Sequence, residues 1–260
     1  MSRAMARPRS PSSRDPLPEP LPPEKRTVGQ LVAEALKLYG DRFWLALPLG
    51  LPLALAANLA HERSRIGAIV VLAALAPALT LAYAAASALA AARRPATRDW
   101  LQALVVGTAV FLPAALVLPW FNLLAFAWLA LTGLVVPVSI VERLGPMAAL
   151  RRAVRLARAD YVHALGSFAT LAIAYFLTRL VLVFLLRGQG DQAERIAVFL
   201  ADIVLSPVLF LGAALLYFDQ AARVVGSGSR KRLRRRKRDA DLHHAHDAHR
   251  PGRPDAEVES

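Results

Sequence analysis

WLQALVVGTAVFLPAALVLPWFNLLAFAWLALTGLVVPVSIV, Trp100 to Val141, is 42 residues long and holds no charged side chain. A helix that crosses a bilayer needs about 20 apolar residues. The stretch therefore has the length of two spans joined by a tight turn. The turn is legible at its midpoint, where Pro119-Trp120-Phe121-Asn122 sets helix breakers beside aromatics that suit a membrane interface. Glu142, Arg143 and the basic segment Arg151 to Arg158 follow, and these must stay out of hydrocarbon. The hairpin marks a multi-span membrane protein, and the rest of the chain is arranged around it.

Of 260 residues, 56% are hydrophobic and 20% charged, against about 25% charged in an average soluble domain. Long uncharged runs recur along the chain, which argues against a soluble alanine-rich bundle. There is no cysteine, so disulfides, thiolate metal sites and cysteine nucleophiles are excluded. A net charge of +13 would suit a nucleic-acid binder. The basic residues, however, cluster at span ends and tails, as the positive-inside rule requires.

Taken in order, residues 1–24 carry seven prolines and four arginines and read as a disordered terminus without the apolar core of a signal peptide. The membrane domain covers residues 25–223. Thr27-Val-Gly-Gln30 has the form of a capping box and opens an amphipathic helix, with Gln30, Glu34, Lys37 and Asp41 on one face. Span one is read as Phe43–Ala60, span two as Ile66–Ala92, span three as Leu101–Pro119 and span four as Phe121–Val141. Gly145-Pro146 starts a second amphipathic helix. Its apolar side is read as Met147, Leu150, Val154, Ala157 and Tyr161, and Arg151, Arg152, Arg155 and Arg158 oppose them. Span five is Tyr161–Leu186 and span six Ile196–Phe218. Gly226 to Ser229 reads as a flexible joint, and residues 224–260 as a disordered basic, histidine-rich tail. The fold class is thus all-α: six transmembrane helices with two amphipathic helices on the cytoplasmic side.

Orientation follows from counting Lys and Arg. The segments facing one side (the N-terminus to Arg42, 93–98, 143–158 and the tail from Arg223) hold 27, and the opposite loops hold 4. Both termini are then cytoplasmic and the number of spans is even. Ala35-Leu-Lys-Leu-Tyr-Gly-Asp41 before span one and Ala153 to Asp160 before span five echo each other. Duplication and chance are both open at this level.

Val135-Val-Pro-Val-Ser-Ile-Val-Glu142, Gly145-Pro146 and Ala149-Leu-Arg-Arg-Ala-Val-Arg-Leu156 together form a pattern. It resembles the membrane domain of glycerophosphoryl diester phosphodiesterase and its uncharacterised multi-span bacterial relatives. Val28 to Tyr39 and Leu215 to Asp219 fit as well, so the resemblance covers roughly residues 27 to 223; Ala153 departs from it where serine is expected. It implies a helical membrane module. It does not imply phosphodiesterase activity, which in such fusions belongs to a separate soluble domain.

Among candidate sites, Arg179 in span five is the sharpest, because an ionisable residue inside a membrane is a functional hypothesis by default. Arg179 precedes Arg187 by eight residues and Asp202 follows Arg195 by seven, which at 1.5 Å per residue places both roughly 10–12 Å below the same surface. A buried ion pair between them is expected, as a structural clasp. A substrate or proton site and an unpaired, snorkelling Arg179 are the alternatives. Glu142 is expected to bridge to Arg151 or Arg152 and set the angle of the amphipathic helix. Asn58 and Asn122 are read as interfacial residues near opposite surfaces. Arg151, Arg152, Arg155 and Arg158 form one anionic-lipid surface; Arg230, Lys231, Arg232, Arg234, Arg235, Arg236, Lys237 and Arg238 form another. His243, His244, His246 and His249 read as solvated tail rather than metal ligands. No HExxH, Gly-x-Ser-x-Gly or P-loop pattern occurs.

The function expected from this is non-enzymatic: a bacterial inner-membrane scaffold or regulatory module that contacts anionic headgroups, with no cofactor and no nucleic acid. A membrane-protein partner or a second copy is the further candidate partner. The alternative is a small transporter or lipid-handling permease subunit with its site near Arg179 and Asp202. A polar cavity in the bundle would favour the alternative and a packed Ala/Leu interior the scaffold.

Overall fold

A computed structural model describes Thr27–Ala248 except residue 62 and residues 187–189, with Asp191 and residues 226–248 described by their backbone alone. The expected disorder of residues 1–24 and the terminal residues 249–260 lie outside the described residues.

Thr27 caps the first helix as its sequence dictates. Its Oγ1 accepts from the Gln30 N–H at 3.4 Å, and Gln30 Oε1 accepts from the Thr27 N–H at 3.0 Å. The elements are α1 Val28–Asp41, α2 Phe43–Ala46, a 3-10 turn Leu47–Gly50, α3 Leu51–Ala60, α4 Arg65–Ala90, α5 Thr97–Val117, α6 Asn122–Thr132, α7 Val135–Glu142, α8 Pro146–Ala159, α9 Tyr161–Leu186 and α10 Asp191–Ala248. Six helical stretches are long and apolar enough to cross a membrane: Phe43–Ala60, Arg65–Ala90, Thr97–Val117, Asn122–Glu142, Tyr161–Leu186 and Gln192–Val225. The chain is an all-α, multi-pass membrane protein.

Proline explains the two broken spans. Pro48 has no N–H to donate, and span one tightens into the 3-10 turn there before resuming as α3. Span four breaks between α6 and α7 at Gly133 and Leu134, and Gly133 is the residue whose carbonyl Pro137 would crowd. Pro77, Pro113 and Pro207 sit inside continuous helices. Several polar side chains satisfy themselves along or across the helices, as hydrocarbon demands. Thr80 donates to the Ala76 carbonyl at 2.8 Å and Ser139 to that of Val135 at 2.8 Å. Tyr83 donates across to the Ala213 carbonyl at 3.3 Å.

Small residues set the packing. Ala76, Ala82, Ala84, Ala86 and Ala103 are buried, which lets helix backbones approach closely. A Cβ on Gly107 would stand 2.3 Å from Thr80 Cγ2 and 2.8 Å from Val136 Cγ2, so α4, α5 and α7 meet on that glycine. Around the bundle α3 contacts α4, α4 contacts α5, α5 contacts α6 and α7, α6 contacts α9, and α9 contacts α10, which closes back on α3. The outer surface is itself apolar, with Leu123, Ile173, Leu180, Val181 and Phe184 among the exposed side chains.

Several segments differ from the sequence reading. α5 begins at Thr97 rather than Leu101, because Asp99 Oδ2 accepts from the Ala96 N–H at 3.0 Å and closes an extra turn. α8 buries Ala149, Ala153, Leu156 and Ala157, roughly a quarter turn around from the expected apolar face, and Met147 is 60% exposed. Alanines permit the close approach, and the larger apolar residues are left beside it. The expected joint at Gly226–Ser229 is helical, and α10 continues to Ala248. Once a helix is nucleated each further residue adds cheaply, and Arg, Lys, Leu and Ala are good helix formers. The extension past Val225 adds roughly 35 Å of helix at 1.5 Å per residue.

Candidate functional site

Charged groups gather at both ends of the bundle, and the two ends differ. At the arginine-rich end they tie helices together. Glu142, the last residue of α7, receives Arg152 Nε at 3.1 Å on both oxygens and the Tyr217 hydroxyl at 3.0 Å. Arg93 Nη1 donates to the Val141 carbonyl at 2.8 Å. Arg143 is left-handed at φ 53 and sets Nε 3.3 Å from Asp99 Oδ2. Asp160 accepts from the His163 N–H at 3.2 Å and pairs with Arg223 Nη1 at 3.0 Å. Each contact joins a helix terminus to another element, so this end is a closed frame.

The other end is open. The buried residues of α9 are Ala164, Ser167, Leu171, Ala172 and Tyr175, all in its first fifteen residues. Beyond Tyr175 a charged pair links it to α10. Arg179 Nε lies 3.2 Å from Asp202 Oδ1, with Asp202 1% and Arg179 25% exposed in their side chains. The Nε–H is not aligned as a hydrogen bond, so this contact is an ion pair by distance alone. Asp202 Oδ1 also accepts from the Tyr175 hydroxyl at 2.9 Å. The pairing engages Nε, and the remaining guanidinium nitrogens make no hydrogen bond to a described residue. Beside the pair a cavity of about 340 Å³ opens between α3, α9 and α10, lined by Asn58, His61, Arg179, Val183, Glu194, Arg195, Val198 and Asp202.

A second cavity, of about 190 Å³, lies in the bundle and draws its walls from all six spans. Its lining is apolar and aromatic, with Leu53, Tyr83, Phe111, Phe126, Phe168, Tyr175, Phe176 and Phe210. Phe176 is 53% exposed, so the wall reaches the outer surface of α9.

The two cavities lie in line. On α9, Phe168, Ala172 and Tyr175 line the apolar cavity and Arg179 and Val183 the polar one. These positions step by 4, 3, 4 and 4, one helix face over about 22 Å. On α10, Val198 and Asp202 line the polar cavity and Leu209, Phe210, Ala213 and Leu216 the apolar one. Tyr175 is the boundary, with its ring in one wall and its hydroxyl on Asp202.

No family model, curated protein or solved structure matches this chain.

The structure brings Arg179 and Asp202 together and Glu142 to Arg152. Arg151, Arg155 and Arg158 are exposed, whereas Arg152, grouped with them as lipid surface, turns inward to Glu142. A half-buried carboxylate at the helix end attracts the nearest guanidinium. Asn58 and Asn122 stand at the same end of the bundle, not at opposite surfaces, because spans one and three run in the same direction. The side chains of Arg230 to Arg238 and of the tail histidines lie outside the described residues. Sequence reasoning missed Tyr175, although it sits four residues before Arg179 on one face. It also missed His61, Glu194 and Arg195 as cavity walls, and the fully buried Asp219 and Gln220. The first group shares a wall only through tertiary contact.

Proposed function

We propose that this protein is a non-enzymatic, multi-pass bacterial inner-membrane module that holds a membrane lipid within its bundle, as a lipid-handling permease subunit would. The supporting observation is the alignment of a polar cavity with an apolar one along a single face of α9 and α10. Two aligned cavities, one polar and one aromatic, match an amphiphile and not a small hydrophilic solute. With both termini cytoplasmic, as the distribution of arginine favours, the polar cavity opens toward the outer leaflet. Phe176 is then the point where an acyl chain enters from the bilayer.

The scaffold reading has its own support in the exposed Arg151, Arg155 and Arg158 and in the basic helical extension of α10. These would hold the cytoplasmic face against anionic headgroups. The two readings separate on gentle purification followed by mass spectrometry of what stays bound. About one phospholipid per chain, lost when the apolar cavity is filled by Ala172→Trp, is the expected result. A stoichiometric protein partner with no retained lipid would replace the lipid reading with the scaffold.

A further inference from the structure

Which lipid follows from the charges of the polar cavity. Two cations and two anions line it, Arg179 and Arg195 against Glu194 and Asp202. They are not equally available. Asp202 meets the Tyr175 hydroxyl and Arg179 Nε on its Oδ1, and Arg195 has a contact of its own. The Asp202 contact holds Arg179 through Nε and leaves its two Nη groups for two oxygens of a phosphate, the forked geometry in which arginine binds phosphate. Glu194 is half-buried in the same wall and its carboxylate pairs with no described residue. A ligand that is only anionic would leave a carboxylate facing it, which repels it. A ligand with one phosphate and one ammonium satisfies both groups at once.

Resting on the lipid-binding reading above, we infer that the occupant is a zwitterionic aminophospholipid of the phosphatidylethanolamine class. Its phosphate lies on Arg179, its primary ammonium on Glu194 and one acyl chain in the aromatic cavity beyond Tyr175. Asn58 and His61, at the end of α3, supply further polar contacts to the head. A primary ammonium suits this wall better than a quaternary one, because it donates hydrogen bonds to the carboxylate as well as charge.

The test is competition on the full chain. Delipidated protein in detergent is offered an equimolar mixture of phosphatidylethanolamine, phosphatidylglycerol and phosphatidylcholine with identical acyl chains, and adducts are counted by native mass spectrometry. Phosphatidylethanolamine is expected to exceed each of the others by about fivefold, the worth of one partly screened ion pair. Glu194→Gln, with its fold checked by circular dichroism, is expected to lower phosphatidylethanolamine adducts and erase the preference over phosphatidylglycerol. Arg179→Gln combined with Asp202→Asn, which removes both charges of the pair together, is expected to lose all three lipids. Equal adducts in the parent protein, or a preference that survives Glu194→Gln, would overturn the headgroup assignment while the lipid-binding reading stands. Absence of any phospholipid adduct would overturn both.

Discussion

At the residue scale the pair Arg179–Asp202 is asymmetric, and the asymmetry is measurable. Asp202 is sealed in and Arg179 partly open. Removing the arginine strands a buried carboxylate with Tyr175 alone, whereas removing the carboxylate leaves an arginine whose long stem can reach the interface. Arg179→Ala is therefore expected to destabilise the bundle by about 3 kcal/mol, more than Asp202→Ala does. The double substitution should recover much of the loss. Unfolding in mixed micelles checks this, and additive effects of the two changes would remove the clasp. Tyr175→Phe deletes one hydrogen bond to a charged group and should cost about 1.5 kcal/mol. The pair itself was legible, because depth in a membrane is arithmetic along a helix. Tyr175 and Glu194 were not singled out, since a tyrosine inside a span and a glutamate at its end each have ordinary explanations until a neighbouring helix gives them a shared wall.

Elements in this bundle are held by close approach more than by large side chains. Gly107 is the sharpest case, with Thr80 and Val136 already in the space of a Cβ. Gly107→Ala should push α5 off α4 and α7 and cost about 1–3 kcal/mol. Gly166 on α9 has nothing within 4 Å of its would-be Cβ, and Gly166→Ala should be neutral or stabilise by up to about 1 kcal/mol. Thermal melts of the two variants side by side separate crowding from the general effect of replacing a helical glycine. Span existence was readable at this scale, and five of the six spans carry proline. Which prolines break a span was not readable. Pro48 and Pro137 coincide with breaks, while Pro77, Pro113 and Pro207 ride in helices that neighbours support. The burial face of α8 was misplaced for a related reason, because alanine packs inward without looking hydrophobic.

Over the whole molecule, one end is a closed frame of charge and hydrogen bonds and the other opens between α3, α9 and α10. The absence of cysteine makes orientation simple to measure. In intact cells Ser64→Cys should react with a membrane-impermeant thiol reagent, and Ser229→Cys should react only after lysis. The reverse pattern would invert the protein and place the polar cavity on the cytoplasmic side. Deleting residues 226–260 should leave the melting temperature of the bundle unchanged. It should weaken binding to anionic vesicles, with the difference shrinking as salt rises from 0.05 M to about 0.5 M. A melting temperature that falls with the deletion would mean that the extension of α10 packs on the domain.

The sequence by itself determined that the chain is helical and where it crosses the membrane. Those properties are sums over about 20 consecutive residues, and no distant contact alters them. Charge counting along the same segments favours one orientation for a similarly local reason. Only the tertiary structure decided which face of each span looks inward, that the buried residues of α9 stop at Tyr175, and that two cavities line up there. In lipid an outward leucine is as well solvated as an inward one, so hydrophobicity carries no signal of facing. Packing of alanines and glycines against particular neighbours settles it, and those neighbours are fixed only when all six spans are in place.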